Sequence, residues 1–115
     1  MSIRIKRVYE DASPEDGYRV LVDRLWPRGV RKDALKMDEW AKDVTPTSSL
    51  RKDWHSGRIT DTGFAANYHA ELDGNPKLAE LAQKASRGAL TLLVATRNVA
   101  TSHVHVLAKA IQDCI

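Results

Sequence analysis

Apolar and polar positions change their period several times along the chain, and each change predicts an element. At the amino end Ile3 and Ile5 alternate with Arg4 and Lys6. That period of two is the signature of a half-exposed strand, so Ile3 to Tyr9 is predicted to form a strand at a sheet edge. Asp11 to Gly17 is turn material, with Ser13-Pro14 placed to open a single helical turn. A second strand is predicted over Tyr18 to Leu25, where Val20, Leu21 and Val22 make a β-favouring run before Pro27 forbids further ladder pairing. Leu35 to Trp40 alternates again, which fits either a short third strand or a helical turn.

From Thr45 the period lengthens to that of a helix. Ser48 to His55 carries Leu50 and Trp54 at i and i+4 and is closed by Gly57, with Arg51 and Lys52 expected to point away from that stripe. Asp61 or Thr62 can cap a second helix in which Phe64, Tyr68 and Leu72 recur every four residues as core. Pro76 to about Ser86 places Leu78, Leu81, Ala82 and Ala85 on one face and stops at Gly88. Ala89 to Thr96 is the most continuous apolar run, suited to a strand covered on both faces. A last helix, capped by Thr101 or Ser102, carries Val104, Leu107, Ala108 and Ile111 inward and holds His103 in its first turn.

Strands separated by helical segments predict a single α/β domain over residues 1–115: three layers, Rossmann-like, with a small, mostly parallel sheet flanked by helices. The strands at Tyr18–Leu25 and Ala89–Thr96 are expected to be neighbours. Both run into polar residues at their carboxyl ends, where ligand sites of open α/β sheets form.

Composition adds limits. The chain has 115 residues, of which 43% are apolar and 29% charged, enough for one globular domain. The amino end, Met-Ser-Ile-Arg-Ile-Lys-Arg, is charged where a signal peptide needs an apolar run, and no stretch approaches the roughly 20 apolar residues of a membrane helix. A cytoplasmic protein without membrane attachment is expected. Cys114 is the one cysteine, so an internal disulfide and a cysteine metal site are both excluded. His55, His69, His103 and His105 lack the spacing for a shared metal face. Neither metal nor cofactor is expected.

The net charge is only +3, yet Arg24, Arg28, Arg31, Lys32 and Lys36 fall close together, opposed by Asp33 alone. One reading is a solvated loop flank; the other is attraction of a phosphate-bearing partner through charge and guanidinium geometry. Asp23 and His103 are the candidate acid-base pair. Arg24, Trp26, Arg28, Arg97, Asn98 and Ser102 are the candidate ligand-binding residues. Each has a structural alternative: Asp23 pairing with Arg24, Arg28 or Arg97 to hold strand ends together, and Trp26 packing rather than stacking. His103 near a helix amino terminus is disfavoured as a cation and is expected to stay neutral.

Lys6-Arg-Val-Tyr9, the run from Gly17 to Gly29, Trp40, Leu50-Arg51, Tyr68, Glu71-Leu72, Leu90-Thr-Leu-Leu93, Asn98 and His103 together resemble the YeaO-like family of small uncharacterised bacterial proteins. The resemblance spans nearly the whole chain and implies a single α/β domain with no established reaction. Two departures stand out. Ser102-His103-Val104 replaces the family's usual Asn-His-Ala and the Cys-His-Arg of more distant relatives, so no thiol nucleophile is available there. Thr47 stands where the family often has Ser, which keeps the hydroxyl.

Two functions are therefore expected to compete. In the first, the chain binds or acts on a small phosphate- or nucleotide-bearing ligand, with Arg24, Arg28 and Arg97 on the anion and Asp23 with His103 moving protons. In the second, the Arg24–Lys36 patch, with Trp26 as stacking face, makes a nucleic-acid-binding or protein-interaction module. Too few tryptophans and too little net charge weigh against the second. The oligomeric state is left open.

Overall fold

The structure, a computed structural model, describes residues 2–99 and 102–115. Among these, four strands form one sheet: β1 (Ser2–Arg7), β2 (Tyr18–Leu21), β3 (Glu39–Trp40) and β4 (Ala89–Val94). Their order is β1-β4-β2-β3 and every pairing is parallel. Four helices accompany them: α1 (Ser48–His55), α2 (Asp61–Leu72), α3 (Pro76–Arg87) and α4 (Val104–Gln112). No described helix is long and apolar enough to cross a membrane.

β4 lies between β1 and β2, and its residues Leu90 to Val94 are all buried, as its unbroken apolar run requires. Val20 pairs with Leu92 and Leu21 with Leu93, so the expected neighbours are neighbours. Alternation along these strands separates two cores. Val20, Val22, Leu90, Leu92 and Val94 join Leu50, Phe64, Tyr68, Leu81, Leu107 and Ile111 from all four helices. Leu21, Leu93 and Val8 face the other way, beneath Trp26, Val30, Leu35, Met37 and Trp40. Of the three layers, the one opposite the helices is thus built from loop. Pro27 and Gly29, the latter at φ 79°, keep that segment from becoming regular.

Element ends depart from the sequence pattern in ways that matter later. β2 stops at Leu21 rather than Leu25, although the Val22 N–H still donates to the Leu93 carbonyl at 3.0 Å. β1 ends at Arg7, not Tyr9, with one further bond from the Val8 N–H to the Val94 carbonyl. The third strand shrinks to two residues, and a 3-10 turn at Lys42–Val44 follows it. α4 begins at Val104, with His103 in the cap position and Thr101 outside the described residues. Ala108 packs half-buried against the core as expected, and Ala110 of the same helix is buried as well.

The loop-covered face also contains charge. Asp16 closes the 3-10 turn Pro14–Asp16, and its buried carboxylate faces Lys6 Nζ at 2.9 Å and the Arg19 guanidinium. It also accepts the Ser13 N–H at 3.0 Å. The Lys6 hydrogen bond, with Ser13 and Arg19 adding to it, holds its pKa down at about 2 against the cost of burial. Gly17 next to it has φ 64°, and a Cβ there would sit 2.3 Å from the Ala89 carbonyl oxygen, so only glycine lets the turn meet β4.

Two outcomes follow for stability. Leu92 is fully buried in the larger core, so Leu92→Ala is expected to cost about 2–5 kcal/mol in denaturant unfolding; a loss below about 1 kcal/mol would contradict this placement. Asp16 has a folded pKa below its ordinary 3.8, so its contribution is complete above that value and disappears as pH falls towards about 2. Chemical denaturation between those limits should show a loss on the order of 2 kcal/mol that Asp16→Asn lacks. That variant is also expected to be less stable at neutral pH, by roughly 3–5 kcal/mol, because Arg19 loses its buried counterion.

Candidate functional site

Where β2 and β4 end, the ladder gives way to side chains. The Asp23 carboxylate reaches across to accept the Ala95 N–H through Oδ2 at 2.8 Å, replacing the next main-chain bond. The Trp40 indole N–H donates to the Asp23 carbonyl at 2.7 Å and fixes the same residue from the neighbouring strand. His103 Nε2 lies 2.8 Å from the Val22 carbonyl oxygen. A carbonyl only accepts, so Nε2 is the protonated nitrogen of the neutral ring. The same Nε2 is 3.8 Å from Asp23 Oδ1, close enough for charge coupling and too far for a hydrogen bond.

Both groups are pushed towards their neutral forms. Burial raises the Asp23 pKa, against the Ala95 N–H bond and the nearby His103 and Arg51 charges. Burial likewise lowers that of His103, against its bond to Val22 and the Asp23 charge. The sequence had pointed to a neutral His103 on account of the helix dipole; the larger physical cause is desolvation. Tyr68 packs the edge of its ring against the imidazole at 6.0 Å between centroids, and its hydroxyl donates to the Val44 carbonyl. Burial raises the Tyr68 pKa, so it remains a donor.

Asp23 and His103 line a cleft of about 710 Å³ at the carboxyl ends of the strands, where ligands of parallel sheets bind. Asp23, Arg24, Trp26, Arg28, Asn98, Ser102 and His103 all line it. Arg97 does not: it is exposed and lies outside the lining. The turn after β4 directs Thr96 and Asn98 inward, with the Asn98 N–H held by Thr96 Oγ1 at 3.3 Å. Ser102 spends its hydroxyl proton on the Val99 carbonyl at 3.0 Å.

Among the arginines of the cleft, the one missed by sequence reasoning is Arg51. It was expected to face away, yet it is half-buried, lines the cleft, and carries a charge felt by both Asp23 and His103. Its position next to Leu50 in the shared motif was the available signal. Arg24 donates from Nε to the Pro46 carbonyl at 3.1 Å, and neither it, Arg28 nor Arg51 makes an ion pair among the described residues. The rest of the basic patch faces elsewhere; Arg31 pairs with Asp33 at 3.0 Å on the open surface. No cluster of three His, Cys, Asp or Glu able to hold a metal occurs among the described residues.

Residues 2–115 match the family described as the inactive DUF488-N3 subclade. The chain belongs to this subclade. Its relatives include the uncharacterised protein YeaO of Escherichia coli, 45% identical over 112 residues, covering 94% of this chain and 95% of that protein. Uncharacterised proteins of Mycobacterium tuberculosis and Mycobacterium bovis are 47% identical over 107 residues, covering 93% of this chain and 91% of theirs. The resemblance carried by the Gly17–Gly29 motif is thus a family relationship. No solved structure matches the chain. In this DUF488-N3 member the Asp23–His103 pair is built from main-chain contacts as much as from each other.

The pKa directions set a pH signature. Because folded His103 binds a proton less readily than in the unfolded chain, stability should fall as pH drops below about 6.5 until the folded pKa is passed. Asp23, raised above 3.8, contributes with the opposite sign at more acidic pH. Denaturation of the wild-type chain and His103→Gln from pH 7.5 to 5 should show the decline only in the former, and an NMR titration of His103 should place its midpoint below 6.5. A midpoint above that value would refute the burial argument.

Proposed function

We propose that the cleft binds a small anion of the phosphate class and holds it without chemical turnover. The observation that carries this reading is the convergence of Arg24, Arg28 and Arg51, none ion-paired among the described residues, on one cleft at the strand ends. Guanidinium groups offer paired donors that match phosphate oxygens, and a partly desolvated site strengthens such bonds. Arg24 is pre-oriented by its bond to the Pro46 carbonyl, which lowers the ordering cost of that side chain on binding.

Binding rather than catalysis is supported by the state of the two proton carriers. His103 commits its Nε2–H to Val22 and Asp23 commits an oxygen to Ala95. At 3.8 Å they form no hydrogen-bonded relay. Ser102 supplies a hydroxyl that is already donated, in a position without a thiol. A subclade described as inactive agrees with this reading. The exposed Arg31–Asp33 pair gives the rival nucleic-acid surface less support, since part of its charge is internally neutralised.

Calorimetric titration with orthophosphate and pyrophosphate tests the proposal. Arg51→Ala and Arg24→Ala are each expected to weaken binding by about tenfold or more, as loss of a charge-assisted hydrogen bond implies, while melting stays within a few degrees of wild type. Arg97→Ala should leave affinity unchanged. Phosphorus NMR should show pyrophosphate intact after prolonged incubation. Equal affinity in a combined Arg24→Ala, Arg28→Ala, Arg51→Ala variant would sink the binding claim; steady release of orthophosphate would sink the claim of no turnover.

A further inference from the structure

We infer that the ligand of this cleft is a mononucleotide, its phosphate on the arginines and its base against Trp54 and Leu25; this rests on the anion-binding reading above and names its ligand. A cleft of about 710 Å³ is far larger than a bare phosphate needs and falls within the range that encloses small organic ligands. Aromatic and aliphatic side chains line it together with the arginines: Tyr9, Leu25, Trp26, Trp54 and Phe64 all contribute, with Asp61 and His55 beside Trp54. Leu25 is 70% exposed and Tyr9 50% exposed, two of the three large apolar side chains left open among the described residues. Single exposed apolar residues are ordinary, but here they share the mouth of one charged cleft.

The two tryptophans reach the cleft from opposite sides of the sheet. Trp54 packs with the helix-side core and Trp26 with the loop-side core. Both have spent their polar handle. The Trp54 N–H donates to Asp61 at 2.8 Å and the Trp26 N–H to the Val30 carbonyl at 2.6 Å. What each still offers a ligand is ring surface, which suits a planar ring and not a second anion. Trp54 is further braced by Phe64, stacked at 3.7 Å with 13° between planes, so a stacking partner would meet a ring already held in place. Trp26 is braced edge-on by Trp40 at 5.2 Å. With recognition by ring faces, discrimination among bases should be weak, as at other stacking platforms.

The test compares Kd values, by calorimetry and tryptophan fluorescence, for adenosine 5′-monophosphate, uridine 5′-monophosphate, adenosine, phenyl phosphate and orthophosphate. Adenosine monophosphate is expected to bind at least tenfold more tightly than either orthophosphate or adenosine, with tryptophan quenching, and uridine monophosphate within about tenfold of it. Trp54→Leu should weaken adenosine monophosphate about tenfold and leave orthophosphate within twofold, whereas Trp54→Phe retains most of the affinity. Leu25→Ala, at an exposed position outside both cores, gives the same reading by a several-fold loss if Trp54→Leu fails to fold. Adenosine monophosphate no tighter than orthophosphate would overturn the mononucleotide and leave the anion site standing. Phenyl phosphate as tight as the nucleotides would overturn the nucleotide assignment in favour of any ring-bearing phosphate. Binding of none of the phosphates would overturn both readings.

Discussion

The hydrogen bond from the Ala95 N–H to the Asp23 carboxylate is the contact on which the candidate site depends. It lies one step past the last main-chain bond between β2 and β4, so a side chain continues the ladder where the backbone can no longer do so. It leaves Asp23 tethered at the lip of the sheet, partly desolvated and within electrostatic reach of His103. The ladder sets the register of the two strands up to Val22 and Leu93, and this bond carries it one step further. With it, the loops that follow them open from a common rim.

The two faces of the sheet meet different needs. The helix side is an ordinary apolar core, made by alternate residues of β2 and β4 against four amphipathic helices. The other side is closed by loop, a poorer cover for a parallel sheet. It is completed by a smaller apolar cluster near the strand ends and by the Asp16–Lys6–Arg19 network further back. Burying Arg19 beside a carboxylate is tolerable because Asp16 also receives Lys6 and a main-chain N–H. That arrangement leaves the Gly17–Gly29 motif with two duties: its first half passes through the sheet, and its second half both covers the loop side and lines the cleft.

The anion-binding reading proposed above asks two things of this site: fixed walls, and cations without a protein counterion. One oxygen of Asp23, Nε2 of His103 and the hydroxyl proton of Ser102 are engaged by main-chain groups, which fixes the walls. Arg24, Arg28 and Arg51 make no ion pair among the described residues, and the proposed anion binding draws on those charges.

How far this was legible in the sequence differs between elements. Local chemistry was enough wherever one stretch makes its own case. The unbroken run of β4, the four-residue spacing of Phe64, Tyr68 and Leu72, the Pro76 start and the Gly57 stop all produce the expected elements. The joining of Asp23 with His103 was readable too, because parallel strands bring their carboxyl ends together. Element ends were not: β2 gives way early where the Ala95 N–H goes to the Asp23 carboxylate, 72 positions away, and the Val22 carbonyl meets His103 instead. Nor was Arg51 readable, since whether a helical residue one step from the apolar stripe meets solvent or a cleft depends on what α1 docks against. Arg97 illustrates the converse. Its place directly after a core strand suggested a site residue, but that adjacency sets only where the main chain emerges; the turn between β4 and α4 decides which side chains face inward, and it selects Thr96 and Asn98.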